Sequence, residues 1–268
     1  MQNIYRTLLA ALALASVSAG ALAKDVTVMI SGGFKAALEK LAPQFEAASG
    51  DRIVLISGPS MGKTAQAIPA RLARGENADV VIMVGDALSA LAKDNGLLPG
   101  SRVELADSTI GMVVKQGAPT PRIRNTAELR NALLQAKSIA YSDSASGRYV
   151  SQQLFKQLNI EAEVKEKAHK VPRIPVASEV AKGKYAVGFQ QVSELLPVPG
   201  VTFIGELPEK VQYVTRFAGA VTAKAQHRQE GAALLHFLSS REAQSSIRAT
   251  GMRSVPAEGL VKPRDTVQ

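Results

Sequence analysis

The chain has 268 residues, of which 46% are apolar and 21% charged, a balance that is typical of a globular protein and excludes a disordered one. It contains no cysteine, which excludes disulfide and thiol chemistry. The net charge of +9 favours an anionic ligand. The basic residues are spread along the chain, only 4% of residues are aromatic and no nucleic-acid-binding motif is present, so we expect no nucleic-acid partner.

The first 23 residues are typical of a secretory signal peptide. Residues 1–6 carry one positive charge, and the apolar stretch 8–15 is too short to span a bilayer. Ala21 and Ala23 form an A-x-A cleavage site, so we expect a periplasmic mature chain that begins at Lys24. No later segment reaches about 18 uninterrupted apolar residues, so we expect no stable membrane insertion after the signal is removed.

Strands and helices alternate in the first part of the mature chain. The apolar run 26–30 precedes a Ser-Gly-Gly turn and a predicted helix over 34–47, whose apolar residues recur at helical spacing. The next predicted elements are strands over 53–56 and 80–84 and helices over 64–74 and 87–93. This alternation predicts an α/β lobe with a mostly parallel sheet flanked by helices.

A second α/β lobe is predicted after the pattern changes near residues 103–114. Its predicted elements are strands over 138–142 and 186–190 and helices over 149–158 and 176–182. We place the return crossing beside the turn residues 197–200 and the strand 201–204, and we expect a last helix, 230–238, to pack on the first lobe. The predicted organisation is therefore a discontinuous first lobe, 24–107 and 205–268, and a second lobe, 108–204.

Three turns that open predicted helices, 31–33, 58–64 and 142–149, contain the candidate ligand groups. Helix N-termini favour negative charge, glycine lets the backbone approach a ligand, and serine adds a hydroxyl donor. The candidate residues in these turns are Ser31, Gly32, Gly33, Ser60, Met61, Lys63, Ser144, Ser146, Gly147 and Arg148. In any single turn, the serines can be explained as helix caps and the cations as surface charges. The recurrence of such residues in three turns favours an anion site.

No cofactor or metal site is indicated. Gly62-Lys63-Thr64 resembles the end of a nucleotide-binding P-loop, but that pattern requires glycine where Ser57 stands. The histidines, His169, His227 and His236, lie outside the three turns and show no metal-ligand spacing.

Three segments resemble periplasmic molybdate-binding proteins: 26–31 (VTVMIS), 78–82 (ADVVI) and 188–191 (GFQQ). Their order and spacing agree along nearly the whole mature chain. The resemblance implies a type II periplasmic-binding-protein fold, two α/β lobes joined by two crossovers. It also implies that Ser31, Ser60 and the backbone amides of the first two turns hold an anion.

This sequence departs from that family at the ligand site. The position of the family's tyrosine is occupied by Gln191, which we include among the ligand-binding candidates. Lys63 and Arg148 add positive charge where the family uses neutral donors, and arginine binds planar carboxylates through paired hydrogen bonds. These differences favour a di- or tricarboxylate over molybdate.

A periplasmic enzyme, aconitate isomerase, resembles the same broad family, and its tricarboxylate substrate suits a serine-rich cleft with added cations. Its reaction moves a proton along an allylic system and needs a general acid/base. We predict Lys63 for this role if its amine is desolvated, with Tyr149 as the weaker catalytic candidate. Two receptor alternatives stay open, in which the chain delivers either a carboxylate or molybdate/tungstate to an ABC permease.

Overall fold

The computed structural model describes residues 22–255, which form two β-sheets flanked by helices. The predicted signal segment up to residue 21 and the end of the predicted first lobe, 256–268, lie outside the described residues. The strands are β1 (Asp25–Ile30), β2 (Arg52–Ser57), β3 (Val80–Val84), β4 (Val103–Ser108), β5 (Ile110–Lys115), β6 (Ile139–Ser142), β7 (Ala168–Val171), β8 (Val187–Gln191), β9 (Val201–Glu206), β10 (Thr215–Val221) and β11 (Arg253–Ser254).

The first helix is the longest of the described helices, and four of them begin within three residues of the end of a strand. They are α1 (Gly32–Ser49), α2 (Ile68–Ala73), α3 (Gly85–Lys93), α4 (Thr126–Gln135), α5 (Ala145–Tyr149), α6 (Phe155–Gln157), α7 (Glu161–Val164), α8 (Val176–Ala181), α9 (Val192–Leu195), α10 (Arg228–Ser239) and α11 (Arg241–Arg248). A π-helical turn, Val150–Leu154, joins α5 to α6, and a 3-10 turn covers Glu209–Val211. Within the described range, no helix has the length and apolar character needed to cross a bilayer.

The first sheet has the strand order β11-β4-β10-β3-β1-β2. β1 pairs in parallel with β2 and β3, whereas β10 returns antiparallel between β3 and β4. α1 covers this sheet with the predicted apolar face, including Phe34, Leu38 and Leu41. Full burial of each such side chain contributes about 1.5–3 kcal/mol, so this face determines on which side of the sheet the helix packs.

The second sheet has the order β7-β6-β8-β5-β9. β6 pairs in parallel with β7 and β8, and β5 runs antiparallel between β8 and β9. Met112 and Phe189, on neighbouring strands, are fully buried in the core of this lobe. The carboxyl ends of β1, β3, β6 and β8 each lead into a helix, so these helix N-termini are available to build a site.

Two crossings join the sheets, and they lie slightly later in the chain than predicted. Thr109 alone separates β4 from β5, and the return runs over residues 207–214. The predicted boundaries at 107/108 and 204/205 fall inside β4 and β9, because both strands continue past the expected turn. The Gln212 side chain links the crossings: it accepts from the Ile110 amide at 2.9 Å and donates to the Ile110 carbonyl at 3.0 Å.

Several elements differ from their predicted bounds. The helix predicted over 64–74 begins only at Ile68, because residues 58–67 form an irregular segment closed by a hydrogen bond from the Ile68 amide to the Pro59 carbonyl. The helix predicted from Tyr149 begins four residues earlier, at Ala145. The last predicted helix is confirmed as α10, which buries its leucines against β4 and β10.

Candidate ligand site between the two sheets

A cavity of about 330 Å³, which we call the inner cavity, lies where the two lobes meet. Its first-lobe wall is formed by the start of α1, the segment after β2 and the end of β3. Its second-lobe wall is formed by the segments that follow β6 and β7 and by the end of β8 with α9. The polar residues that line it include Ser31, Gln66, Ser144, Arg173, Gln191 and Glu194.

The start of α1 supplies the first-lobe donors. Ser31 follows β1 with extended backbone (φ −84°, ψ 155°) and is the residue before the helix, yet its hydroxyl caps no helix amide. The Ser31 hydroxyl is buried, and Ser31, Gly32 and Gly33 all line the cavity. Because α1 has 18 residues and begins at this wall, the positive end of its dipole is directed at whatever occupies the cavity.

Three buried polar atoms on the cavity wall have no hydrogen-bond partner among the described residues. They are Ser31 Oγ, Gln66 Oε1 and Gln191 Oε1. Gln191 is held through its other amide atom, since Nε2 donates to Thr215 Oγ1 at 3.3 Å. Buried polar atoms are rarely left without partners, so these atoms are suited to bind a polar ligand.

The turn after β6 has a fixed internal hydrogen-bond pattern. Ser142 Oγ lies 3.0 Å from Ser146 Oγ and accepts from the Gly147 amide at 3.2 Å. Any Cβ at Gly147 would overlap the Ser142 carbonyl oxygen, which explains why glycine stands there. Ser144 and Ser146 line the inner cavity, but Ser146 is already paired, which leaves Ser144 as the more available hydroxyl.

A second, more open cavity of about 750 Å³, the outer cavity, adjoins the first. Ser142, Asp143, Ser144 and Arg173 line both cavities. The outer cavity also contains four cations: Lys63, Arg148, Lys170 and Arg173. The structure therefore brings Lys63 and Arg148 together from opposite lobes, as exposed side chains outside the inner cavity.

Glu194, which the sequence analysis did not identify, lies in the wall of the inner cavity. It belongs to α9, and its Oε1 accepts from Gln190 Nε2 at 3.0 Å. The pKa of Glu194 is raised to about 7, chiefly by burial and in addition by the negative charge of Asp143, while the Gln190 hydrogen bond acts in the opposite direction. At neutral pH this carboxyl can therefore both accept and donate a proton.

Arg173 was also missed, and it adds positive charge to the inner cavity. It lies between Pro172 and Pro175, directly after β7, with a left-handed backbone (φ 67°) that is unusual for a non-glycine residue. It is exposed towards both cavities. The sequence did not predict β7, because the exposed residues His169 and Lys170 interrupt its apolar pattern. Had this strand been predicted, the turn that follows it would have been included among the candidate ligand positions.

The family model for bacterial extracellular solute-binding proteins matches residues 26–253. This chain belongs to that family. It is 44% identical over 233 residues to an aconitate isomerase from a Pseudomonas species, an alignment that covers 87% of this chain and 89% of the relative.

Solved structures show the same fold at much lower identity. A periplasmic molybdate-binding protein from Azotobacter vinelandii superposes with a TM-score of 0.68 at 18% identity, covering 87% of this chain and 100% of that one. A sulfate-binding protein from Mycobacterium tuberculosis gives 0.69 at 18% identity, covering 87% and 88%. The predicted two-lobed type II periplasmic-binding-protein fold is confirmed.

Two of the predicted residues in the 58–64 turn do not reach the inner cavity of this solute-binding protein. Ser60 is fully buried, and its hydroxyl accepts from the Val84 amide at 2.9 Å, so it braces the end of β3. Met61 packs against the first-lobe core. Residues 58–62 (GPSMG) also have the spacing of a serine-hydrolase nucleophile elbow, but this segment is irregular and the buried Ser60 hydroxyl cannot attack a ligand.

The two predicted catalytic residues are not positioned for that role in this solute-binding protein. The Tyr149 hydroxyl donates to the Val211 carbonyl at 2.7 Å, and its ring stacks on that of Tyr213, so both contacts tie it to the return crossing. Burial raises the pKa of the Tyr149 hydroxyl, so the tyrosinate that would act as the base forms less readily. Lys63 is exposed and lines the outer cavity. Neither residue lines the inner cavity.

No group of three or more metal-ligating side chains occurs in residues 22–255. The polar wall of the inner cavity instead offers hydroxyls, amides, the ammonium group of Lys35, one guanidinium and two carboxyl groups, Asp143 and Glu194. Such a set can hold an anion and exchange a proton with it.

Proposed function

We propose that this solute-binding protein is an aconitate isomerase that interconverts cis- and trans-aconitate. The observation that carries the proposal is the 44% identity to an aconitate isomerase along almost the full length of both chains. We further propose that it acts in the periplasm after cleavage behind Ala23, which the A-x-A sequence supports.

The inner cavity suits a small tricarboxylate in size and charge. Its volume of about 330 Å³ lies at the lower end of the range of small-molecule sites, roughly 300–1,000 Å³. One carboxylate would bind at Ser31 and the first amides of α1, where a helix N-terminus favours negative charge. A second would bind Arg173, whose guanidinium can donate two parallel hydrogen bonds, and Ser144 and Gln191 would contact the remainder of the ligand.

The reaction needs only proton movement once the substrate is held. In aconitate a vinylic carbon and a methylene carbon flank the central carbon, and all three carry carboxylates. Removal of a methylene proton leaves an allylic anion that spreads into the adjacent carboxylate. Cations and helix amides that face this carboxylate would stabilise the developing charge.

An assay of the purified protein with each isomer tests the proposal. We expect wild-type protein to convert pure trans-aconitate into cis-aconitate and the reverse, reaching the same mixture from both sides by chromatography. Arg173→Ala should bind either isomer at least about tenfold more weakly, because it leaves a buried ligand carboxylate unpaired. Lys224→Ala, which removes a cation that lines neither cavity, serves as the matched control.

The second candidate is a receptor that delivers an anion to an ABC permease. It is favoured by the match to a solute-binding family and by the likeness to molybdate- and sulfate-binding structures. Wild-type protein that binds aconitate without interconverting its isomers would support a carboxylate receptor. Tight binding of molybdate or tungstate, with tricarboxylates inert in the same thermal-shift screen, would support an oxyanion receptor.

A further inference from the structure

We propose that Glu194 is the catalytic general acid/base, whose carboxylate takes the proton from one carbon of aconitate and returns it to another. The inference rests on the proposed isomerase function and assigns the proton transfer to a residue that no comparison identifies.

Glu194 lies next to the N-terminus of α1. Its carboxyl group faces the start of α1 so closely that a Cβ on Gly32 would lie 2.8 Å from Glu194 Cδ. A substrate carboxylate that binds the first amides of α1 must therefore lie beside Glu194. The methylene carbon attached to that carboxylate is then within reach of the Glu194 oxygens, which is the geometry that proton abstraction requires.

The orientation of the carboxyl group is also controlled. Oε1 accepts from Gln190 Nε2, whereas Oε2 has no hydrogen-bond partner within residues 22–255. One oxygen is thus anchored and the other is available to the substrate. Ser193, the preceding residue, donates to the Gly33 carbonyl at 2.5 Å across the lobe interface and holds α9 against α1.

The other charged groups at the cavity are less suitable. Lys35 forms an ion pair with Glu39 one turn along α1 at 3.2 Å, and Arg173 cannot lose its proton under physiological conditions. Asp143 lies at the junction with the open outer cavity. On α8, which packs against α9, the carboxylate of Glu179 is paired with Lys182 and Lys184.

The protonation behaviour of Glu194 agrees with its position. Because burial raises its pKa to about 7, protonated and ionised forms coexist at neutral pH. A group of this kind can act as base in one half of the reaction and as acid in the other, and proton transfer is most efficient when the pKa of the carrier lies near the working pH.

The proposed step is balanced without any co-reactant. The ionised Glu194 accepts a proton as the methylene C–H bond breaks, and the electron pair delocalises over the three carbons and the adjacent carboxylate. The same proton, or one exchanged with water, then forms a C–H bond at the former vinylic carbon. The double bond has moved to the former methylene carbon, and Glu194 is again ionised.

Glu194→Gln and Glu194→Asp test the assignment, with Glu161→Gln on the exposed surface of α7 as the matched control. Glu194→Gln should lower kcat about 100- to 10,000-fold, the usual contribution of general acid–base catalysis. Its dissociation constant for aconitate, from calorimetry, should change less than tenfold. Glu194→Asp should keep partial activity, and Glu161→Gln should match the wild type.

Exchange of the substrate methylene protons in D₂O, followed by NMR, supplies an independent readout. Wild-type protein should catalyse the exchange, and Glu194→Gln should lose it in parallel with turnover. A folded Glu194→Gln protein that retains more than a tenth of the wild-type kcat or exchange rate overturns the role of Glu194 while the isomerase function stands. Wild-type protein that neither interconverts the isomers nor exchanges their protons overturns both proposals.

Discussion

The carboxyl group of Glu194, in the second lobe, is in contact with the backbone of Gly32, the first residue of α1 in the first lobe. A methyl group at position 32 would overlap Glu194 Oε1, so alanine at this position would force the Glu194 side chain to move. The position of the Glu194 carboxyl group therefore depends on how the two lobes pack against each other.

Gly32→Ala should displace Glu194 and lower kcat at least about tenfold, because small misplacements of a catalytic group have large effects on rate. The unfolding temperature should change little, since the overlapped atom ends a side chain that can rotate. Gly85→Ala is the matched control: Gly85 also begins a helix, α3, and its Cβ would meet the end of the Arg102 side chain at 2.9 Å. Equal activity of the two variants would contradict this contact.

Glu194 should also make the stability of the protein depend on pH. Its pKa is about 7 in the folded protein and near the ordinary 4.5 when unfolded, so between these values the folded state binds more protons. The free energy of unfolding should therefore fall as pH rises from 4.5 to 7, by up to about 3 kcal/mol. The Glu194→Gln protein should have a higher unfolding temperature than the wild type at pH 8 and the same unfolding temperature at pH 4.5. Parallel melting curves at both pH values would contradict the raised pKa.

The same raised pKa predicts how the reaction rate depends on pH. The free enzyme needs ionised Glu194 to start the reaction, so kcat/KM should increase with pH up to about 7 and level off above it. Initial rates at low aconitate concentration in constant-ionic-strength buffers measure this profile. A flat profile between pH 5.5 and 8 would be inconsistent with Glu194 as the base.

Lys63 and Arg148 are expected to attract the ligand from the outer cavity. Because both are exposed, each should contribute less than about 1 kcal/mol, so Lys63→Ala or Arg148→Ala should lower kcat/KM by no more than about fivefold at low salt. The loss should shrink at high salt, where charges are screened. Stopped-flow or steady-state rates at several salt concentrations measure it, with Lys93→Ala on α3 as a control. A tenfold or larger loss of kcat/KM that does not depend on salt would instead mean that each of these cations binds a ligand carboxylate directly.

Ligand binding should favour the closed arrangement of the lobes. The Ser193 hydroxyl bonds to the Gly33 carbonyl from the opposite lobe, and a hydrogen bond of this kind contributes about 1 kcal/mol. Ser193→Ala should therefore weaken aconitate binding about fivefold and increase the radius of gyration of the free protein in small-angle scattering. Unchanged scattering of wild-type protein on saturation with aconitate, together with unchanged affinity of Ser193→Ala, would argue against a moving hinge.

Mass spectrometry of periplasmic extracts tests the expected processing. The mature protein should begin at Lys24, because Ala21 and Ala23 satisfy the small-residue requirement of the cleavage site. Periplasmic protein that retains Met1 would show that the segment is not removed.

Local patterns were sufficient to predict that the turn before α1 contributes to the first-lobe wall of the site. An apolar strand followed by Ser31, Gly32 and Gly33 and then by helical spacing defines a strand-to-helix turn whatever the rest of the chain does. The α/β class follows from the same alternation, since a strand buried on both faces and a helix with one apolar face must pack together. These features depend on neighbours within a few residues, which is the range that a sequence pattern can report.

Tertiary structure alone decided which polar side chains serve the cavity. A serine and a tyrosine look available in the sequence, but Ser60 is bonded to the amide of Val84 and Tyr149 to the carbonyl of Val211, 62 residues away. Conversely, Glu194 looks like an ordinary helix surface residue until α9 packs against α1. Its pKa and its contact with Gly32 arise from desolvation and charges contributed by distant segments, and no local pattern records which segments will meet.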